Sequence, residues 1–248
     1  MAKQDTDLLL ARIRDLIKQS QHRSDFLGFL DEAQAAVCEE HLKYEPGVRT
    51  MFWGGYEDAE RRMLGAFPDY LEPDVQDFPL TALTFSYREA DKLSHRDFLG
   101  SFMGLGLQRD AVGDILVGKG RCVAFFRQEI AEYVRQNIVK IGRVGVSVLP
   151  GAQQPLPLER EFQNLSGVVA SERLDCLVAF VCKLSREKAT ELIRAGMVMH
   201  NHRETLSVSQ RVSDGDVLSV RKKGKFIIDQ LGPVTSKGRL SVHCRKYL

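Results

Sequence analysis

The spacing of apolar residues over 171–232 predicts two short helices followed by a small sheet. The first helix, with Ser171 as its expected N-cap, has apolar residues at intervals of three and four: Leu174, Leu177, Val178 and Val181. The second helix begins after the N-cap Ser185 and ends at Gly196, which we expect in a left-handed conformation. Its predicted buried face consists of Ala189, Leu192 and Ile193. Alternating apolar residues then predict strands, so we expect a compact α+β domain.

Residues 77–149 follow strand and helix patterns in the order β-α-β-β-α-β. Strands are predicted at 79–87 and on both sides of the glycine turn 118–120, and a helix is predicted after Ser94. This order is that of the ferredoxin-like (split βαβ, RRM-like) plan. The stretch KGRCVAFF loosely matches the RRM octamer, but Arg121 and Val123 occupy aromatic positions, and core packing is expected for at least one of Phe125 and Phe126.

The rest of the chain divides into three further segments. Residues 1–76 are predicted to be mainly helical, with a second helix capped by Ser24 and a third helix after the Gly54-Gly55 turn. Prolines in 150–170 predict a linker that continues into a connecting strand. Residues 233–248 are expected to be a basic C-terminal tail.

Charge is distributed unevenly along the chain, although the formal net charge is only +2. Residues 171–248 hold 15 Lys and Arg against 8 Asp and Glu, whereas residues 1–170 hold 20 against 25. A basic third favours a polyanionic partner, above all nucleic acid, while the acidic N-terminal region leaves a protein partner open. The end of the chain from Gly224 onward is expected to extend the basic surface with Lys225, Lys237, Arg239, Arg245 and Lys246.

Several sequence features favour a cytoplasmic protein without a cofactor. No apolar run approaches the ~18 residues needed to cross a bilayer, and the first residues lack the pattern of a signal peptide. The five cysteines are dispersed and form no CxxC pair, which is typical of reduced thiols. His200 and His202 have no second pair beside them, so no metal site is expected. The chain also lacks a nucleotide-binding loop of the GxxxxGK[ST] type.

The C-terminal domain resembles the S-four (alpha-L) RNA-binding domain, which is named after a small-subunit ribosomal protein. The resemblance rests on motifs in a fixed order: Arg173-Leu174-Asp175, Ser185-Arg186 with Ala189, Leu192-Ile193 with Gly196, and Gly215-Asp216 before a basic strand. In this family, two helices form an L whose basic face lies on folded RNA. The expected contacts are Arg173, Lys183, Ser185, Arg186, Lys188, Arg194, Asn201, Arg203, Arg221, Lys222, Lys223 and Lys225.

A wider resemblance covers nearly the whole chain. The stretches SHRDFLGSFMGLGLQRDAVGDI and GKFIIDQLGPVTSKGR resemble the YlmH family of bacterial S-four proteins. This resemblance implies a non-enzymatic protein that binds ribosomal RNA of the large subunit and tRNA or peptidyl-tRNA during rescue of stalled translation. One turn departs from the S-four pattern, because the family commonly has Val-Asn-Gly where this chain has His200-Asn201-His202.

Two other classes of function remain open at this point. Pseudouridine synthases carry a catalytic Asp in an Arg-Leu-Asp motif, which Arg173-Leu174-Asp175 fits superficially. The motif here begins a helix of the binding domain, so we expect Asp175 to pair with Arg173 or to cap the helix backbone. The other class is a cell-division-linked interaction protein without a direct role on RNA.

Overall fold

The computed structural model describes residues 3–45, 47–158, 162–236 and 238–247. The chain divides into two compact units, Met1–Glu159 and Arg160–Leu248. Both units combine helices with antiparallel sheets, so the chain has the α+β class expected from its sequence. No helix among the described residues is long and apolar enough to span a membrane.

The N-terminal part of the first unit is a three-stranded antiparallel sheet with two helices. Its elements are α1 (Lys3–Ser20), β1 (Asp25–Leu30), α2 (Glu32–Leu42), β2 (Arg49–Trp53) and β3 (Arg62–Phe67). The sheet order is β1-β3-β2. Ile13 and Leu16 of α1 pack with Leu64 of β3 in a common core. The two helices of this part hold more residues than its three strands, but the prediction of further helices where β1 and β3 lie is wrong.

The errors concern two strands that lack an alternating pattern. The sequence predicts a helix from Ser24, but α2 begins only after Asp31, whose Oδ1 accepts from Gln34 N at 2.8 Å. The helix predicted after Gly54-Gly55 is likewise replaced by β3. Both β1 and β3 contribute residues to two separate cores, one on each face. A strand covered on both faces shows no two-residue period, so its apolar run is easily taken for a helix.

The remainder of the first unit is a four-stranded antiparallel sheet with two helices on one face. Its elements in chain order are β4 (Leu80–Ser86), α3 (His95–Gly104), β5 (Val112–Gly118), β6 (Arg121–Arg127), α4 (Gln128–Asn137), β7 (Lys140–Ile141), β8 (Val144–Gly145) and β9 (Ser147–Pro150). The sheet order is β5-β6-β4-β9, while β7 and β8 form a separate small hairpin.

Both faces of this four-stranded sheet are covered. Phe126 packs under the helices, with its ring centroid 5.0 Å from that of Phe102. Phe125 lies on the opposite face, where it stacks on Tyr56 at 5.4 Å beside residues of the N-terminal sheet. The two phenylalanines, Phe126 and Phe125, are 0% and 2% exposed. Both therefore belong to the core, where the sequence predicted at least one of them, and neither can stack on a base.

A half-buried arginine links the two sheets of the first unit. Arg61 donates from Nε to Val112 O at 3.0 Å, and from Nη2 to Phe29 O at 2.8 Å and Arg109 O at 3.0 Å. The buried Asp114 carboxylate accepts from the Arg61 backbone N at 3.0 Å. Burial and the nearby Arg109 lower the pKa of Arg61 to about 10, so the guanidinium stays charged at neutral pH.

The second unit is a six-stranded antiparallel sheet with two helices on one face. Its elements are β10 (Phe162–Val169), α5 (Leu174–Cys182), α6 (Arg186–Arg194), β11 (Val198–His200), β12 (Arg203–Glu204), β13 (Val217–Val220), β14 (Gly224–Val234) and β15 (Leu240–Tyr247). The sheet order is β10-β15-β14-β13-β11-β12. Leu177 of α5, Ile193 of α6 and Phe226 of β14 are fully buried in its core.

Two predictions for the second unit need correction. Helix α5 begins at Leu174 with Arg173 as its N-cap, whereas Ser171 precedes the helix and its Oγ lies 3.5 Å from Cys176 Sγ. Residues 233–248 are not a tail, because β14 continues to Val234 and β15 pairs with both β10 and β14. Pairing of strands distant in sequence leaves no local signal, so the sequence alone does not reveal this segment as part of the sheet. The predicted basic residue Lys237 lies outside the described residues.

The turn between β11 and β12 is built from two left-handed residues. Asn201 and His202 have φ values of +47° and +65°, and they join the paired residues His200 and Arg203. Two consecutive positive φ values are typical of a type I′ hairpin turn. Asn201 Oδ1 also accepts from Val217 N at 2.8 Å, which fixes the turn to β13. The turn thus forms with histidine at the position where the S-four pattern has glycine.

Asp216 holds this turn through a partly buried polar network. Its Oδ1 accepts from Asn201 Nδ2 at 2.7 Å, and its Oδ2 accepts from Ser213 N at 2.8 Å and lies 2.6 Å from His200 Nε2. The other nitrogen of His200 lies 2.7 Å from Gln210 Nε2. Burial opposes ionisation of Asp216, but the hydrogen bonds outweigh it and hold the pKa of this carboxyl below its usual range. The described residues contain no group of three or more potential metal ligands.

Arg61→Met should destabilise the first unit by about 3 kcal/mol, because Phe29 O and Arg109 O would lose a charged donor, whereas Val112 O would still accept from Arg109 Nη1 at 2.6 Å. Arg62→Met is the matched control. Arg62 pairs at 3.3 Å with the half-exposed Glu39, so its loss should cost less than about 1 kcal/mol. Urea unfolding of the full chain, followed by fluorescence of its single tryptophan, measures both changes. Equal losses would contradict the role assigned to Arg61.

Asp216→Asn should lower the free energy of unfolding at pH 6 by roughly 1–3 kcal/mol and have a smaller effect at pH 3. The pKa of Asp216 is lower in the folded than in the unfolded chain, where it is about 4. Its stabilisation is therefore complete above that value and disappears as the pH falls through the folded-state pKa. Urea titrations of both chains at the two pH values provide the measurement. If the wild type and the variant differ as much in free energy of unfolding at pH 3 as at pH 6, the ionised carboxylate is not the source of the stabilisation.

Candidate nucleic-acid interface

Helix α6 has one apolar face, and its exposed side chains carry charges of both signs. Ser185 caps its first turn by accepting from Lys188 N at 3.3 Å, which confirms the predicted N-cap. Ala189 and Ile193 are fully buried against the sheet, and Leu192 is half-buried beside them. The charged side chains of α6 are all exposed and include three of the predicted contacts, Arg186, Lys188 and Arg194, together with the acidic Glu187 and Glu191.

Gly196 ends α6 and directs the chain into the sheet. Its φ of +67° confirms the left-handed conformation predicted from the sequence. Gly196 N donates to Ile193 O and Met197 N donates to Leu192 O, both at 3.0 Å, which are the paired bonds of a Schellman motif. Met197 O accepts from Arg221 N at 2.9 Å. The end of α6 therefore adjoins the turn between β13 and β14, where three exposed predicted contacts follow one another: Arg221, Lys222 and Lys223.

A buried carboxylate joins the beginnings of the two helices. The side chain of Asp175, in the first turn of α5, is only 4% exposed. It accepts from Arg173 Nε and Nη2 at 3.1 and 3.2 Å, and from Arg186 Nε at 2.9 Å. It also accepts from the backbone N of Cys176 at 3.0 Å. Asp175 therefore both pairs with Arg173 and caps its own helix, as the sequence analysis predicted.

The two arginines keep Asp175 ionised and are held in place by it. Burial raises the pKa of Asp175, but hydrogen bonds from Arg173 and Arg186 outweigh burial and hold its pKa below the usual range. The arginine side chains remain 39% and 55% exposed, so each guanidinium keeps part of its surface in solvent. Two cations on one carboxylate leave a local charge of +1. Arginines fixed in this way suit phosphate oxygens, which accept two parallel hydrogen bonds from a guanidinium.

A second group of lysines lies at the C-terminal end of α5. Lys183 follows Cys182 as the C-cap of the helix and has a left-handed φ of +53°. Burial raises the pKa of the Cys182 thiol, while the charges of Lys223 and Lys246 act in the opposite direction, so both lysines lie near this end of the helix. Cations are favoured there because the last carbonyls of a helix carry partial negative charge. Strand β15 brings Lys246 to this group of lysines. The sequence does not predict this placement, because Lys246 is far from α5 along the chain.

Three of the predicted contact residues lie away from the arginine pair on Asp175 and from the lysines at the end of α5. The amide of Asn201 is bonded to Asp216 within the hairpin turn, so its side chain supports the fold. Arg203 lies on β12 at one edge of the sheet. Lys225 precedes the buried Phe226 in β14, and alternate residues of a strand point to opposite faces. Lys225 therefore lies on the face of the sheet opposite the helices.

Comparisons with known proteins agree on one family. A family model described as "Putative RNA-binding domain in YlmH" matches residues 73–153. "Ribosome-associated protein quality control protein P2" of Bacillus subtilis (strain 168) is 30% identical over 230 residues, which cover 91% of this chain and 88% of that protein. The structure of "Cell division protein ylmH from Streptococcus pneumoniae" matches with a TM-score of 0.52 at 24% identity, covering 60% of this chain and 92% of that chain. The structural match shows a shared fold.

The family model matches a region that the motif search did not assign to RNA. Residues 73–153 contain the four-stranded sheet of the first unit, whose two faces are both covered. The signal that could have marked this region is a set of exposed cations outside the strands of that sheet: Lys92, Arg96, Lys119, Lys140 and Arg143. The sequence match to the Bacillus relative extends over nine-tenths of the chain at 30% identity. The chain therefore belongs to the YlmH family.

Proposed function

We propose that this chain is a cytoplasmic RNA-binding protein that docks on structured ribosomal RNA of the large subunit and on tRNA, and that it acts in the rescue of stalled translation. Membership of the YlmH family supports a role on RNA, and the name of the Bacillus relative supports an association with ribosomes in protein quality control. The choice of the large subunit and of tRNA rests on the family resemblance of the sequence.

The observation that carries this proposal is the arginine pair on Asp175. Arg173 and Arg186 come from the beginnings of two different helices, yet one buried carboxylate orients both. Side chains that are already oriented lose less conformational entropy when they bind a ligand. We infer that the two guanidinium groups contact the phosphate backbone of a folded RNA, with Lys188 on the same helix as Arg186 adding charge.

The architecture proposed for each unit is consistent with this function. We infer a ferredoxin-like plan for residues 77–149, supported by the antiparallel order β5-β6-β4-β9 and by two helices on one face. We infer an S-four domain for the second unit, supported by the α5–α6 pair and the sheet that follows it. Because the first sheet is covered on both faces, any RNA contact of that region has to use its loops and edges.

We propose binding without catalysis. The Arg173-Leu174-Asp175 motif is the feature that suggested a pseudouridine synthase. The Asp175 carboxylate is nearly inaccessible and already accepts hydrogen bonds from two arginines and a backbone amide. A carboxylate with this environment is suited to a structural role, because a catalytic group has to reach the reacting atoms.

The double variant Arg186→Ala/Lys188→Ala should weaken binding to ribosomal RNA by about 1–3 kcal/mol for each phosphate contact that it removes. The slope of log Kd against log salt should also become shallower, by about one unit for each of these contacts. The measurement is sedimentation of the tagged full chain with large ribosomal subunits at several salt concentrations, with and without nuclease. Wild-type protein is expected with the large subunit, and the double variant in the light fractions.

The matched control is Arg14→Ala/Lys18→Ala, which removes two exposed cations from α1. This control should sediment as the wild type does, because the proposed contact depends on position and not on net charge. Arg186→Lys separates charge from geometry, since lysine keeps the charge but not the fork that Asp175 orients. If both double variants behave alike, or if the wild type stays in light fractions even at low salt, the proposal is refuted and a division-linked protein partner becomes the leading alternative.

A further inference from the structure

Two aromatic rings lie together on the face of the second unit that is opposite the helices. Phe162 of β10 pairs directly with Tyr247 of β15, and their ring centroids are 4.9 Å apart with 59° between the ring planes. Cys244 is buried in the core beneath the helices. Alternation along β15 therefore places Arg245 and Tyr247 on the outer face, and direct pairing places Phe162 there too.

A cation accompanies each of these rings. Arg245 Cζ lies 4.8 Å from the centroid of Phe162, and Lys225 Nζ lies 5.2 Å from the centroid of Tyr247. Arg245 also pairs with Asp229 at 2.8 Å, so one carboxylate offsets part of the positive charge. Lys225, Tyr247, Phe162 and Arg245 thus form an aromatic and basic row across three neighbouring strands. We call these four residues the outer row.

We propose that the outer row binds unpaired nucleotides of RNA and is a contact surface separate from α5 and α6. Aromatic rings on a sheet stack on bases that are splayed out of a helix, while nearby cations bind the phosphates. Base-paired RNA offers its phosphates but not its stacked bases, so the outer row selects single strands. The proposal rests on the proposed function only in taking RNA as the ligand.

A polyanion fits this row better than a protein surface does. Phe, Tyr and Arg are also common at protein interfaces, but lysine is depleted there, so Lys225 is the member of the row that favours a polyanion. In the outer row each ring is half-buried and has a cation within about 5 Å. The combination of ring surface with positive charge matches the two components of a nucleotide, its base and its phosphate.

The outer row is built from segments outside the S-four motifs. Phe162 precedes the first motif, whereas Arg245 and Tyr247 follow the last one. The pairing of β10 with β15 brings these distant residues together. An aromatic pair across two strands also stabilises a sheet by itself, so the experiment has to separate the role of the rings in binding from their role in stability.

The test compares two fluorescein-labelled RNAs on the full chain: an unstructured ten-nucleotide strand of mixed sequence and a stable hairpin. Phe162→Leu/Tyr247→Leu removes both rings but keeps apolar side chains of similar reach. We expect its Kd for the single strand to rise about tenfold or more, and its Kd for the hairpin to change less than about twofold. Tyr44→Leu, which removes a tyrosine that is 75% exposed in the first unit, should change neither value.

The outcomes distinguish this proposal from the proposed function. If Phe162→Leu/Tyr247→Leu binds the single strand as tightly as the wild type does, or loses the same affinity for both RNAs, the outer row is not a single-strand site.

The variant Arg186→Ala/Lys188→Ala, measured in parallel, should weaken binding of the hairpin. A wild-type chain that does not bind the single strand overturns the outer row, whether or not it binds the hairpin. The proposed function is overturned separately, if the wild-type chain also fails to sediment with large ribosomal subunits. If the ring variant keeps both RNA affinities but no longer sediments with ribosomes, the face binds protein and the RNA proposal is overturned.

A second measurement applies if the ring variant unfolds. The wild-type chain is then cross-linked to a single strand that contains 4-thiouridine, and the modified peptides are identified by mass spectrometry. Cross-links within β10 or at the end of β15 support the outer row. Cross-links confined to α5, α6 or the first unit overturn it.

Discussion

The placement of Arg173 and Arg186 at the beginnings of α5 and α6 depends on one buried carboxylate. Asp175 is bonded to the N-cap residue of α5, to the first residue of α6 and to an amide of its own helix. A buried ion pair adds little net stability, because desolvation cancels most of its attraction, but loss of a partner is costly. Its effect here is positional: the angle between two short helices and the placement of two arginines are fixed by the same carboxylate.

The first unit uses a half-buried charge of the opposite sign for a structural purpose. Arg61 satisfies carbonyl groups from β1, β5 and the turn before β5, and thereby fixes one sheet over the other. As a result, the face of the four-stranded sheet that would present aromatic rings to RNA in an RRM-like module is filled by Tyr56, Phe29 and their neighbours. The strand order of a sheet therefore does not by itself decide which surface binds a ligand.

Features set by local chemistry could be predicted from the sequence, and features set by distant pairing could not. Ser185 and Gly196 delimit α6 because a cap and a left-handed residue act within one turn of the helix. Asp25–Leu30 is a strand because both of its faces are covered, and Leu240–Tyr247 is one because β10 and β14 lie beside it. The sequence of each segment does not reveal which other elements will cover it or pair with it.

The same distinction applies to the candidate site. The pairing of Asp175 with Arg173 could be predicted because the two residues are only two positions apart, whereas the placement of Lys246 beside α5 could not.

The two proposed surfaces use different physical interactions, and this difference bears on selectivity. Phosphate contacts through Arg186 and Lys188 weaken steeply with salt and carry little sequence information. Stacking on Phe162 and Tyr247 requires bases that are not paired, and it is tolerant of their identity. An RNA that engages both faces gains effective concentration for the second contact once the first has formed. Selectivity would then depend on the distance between a folded element and an unpaired segment, a property of shape that neither surface could recognise alone.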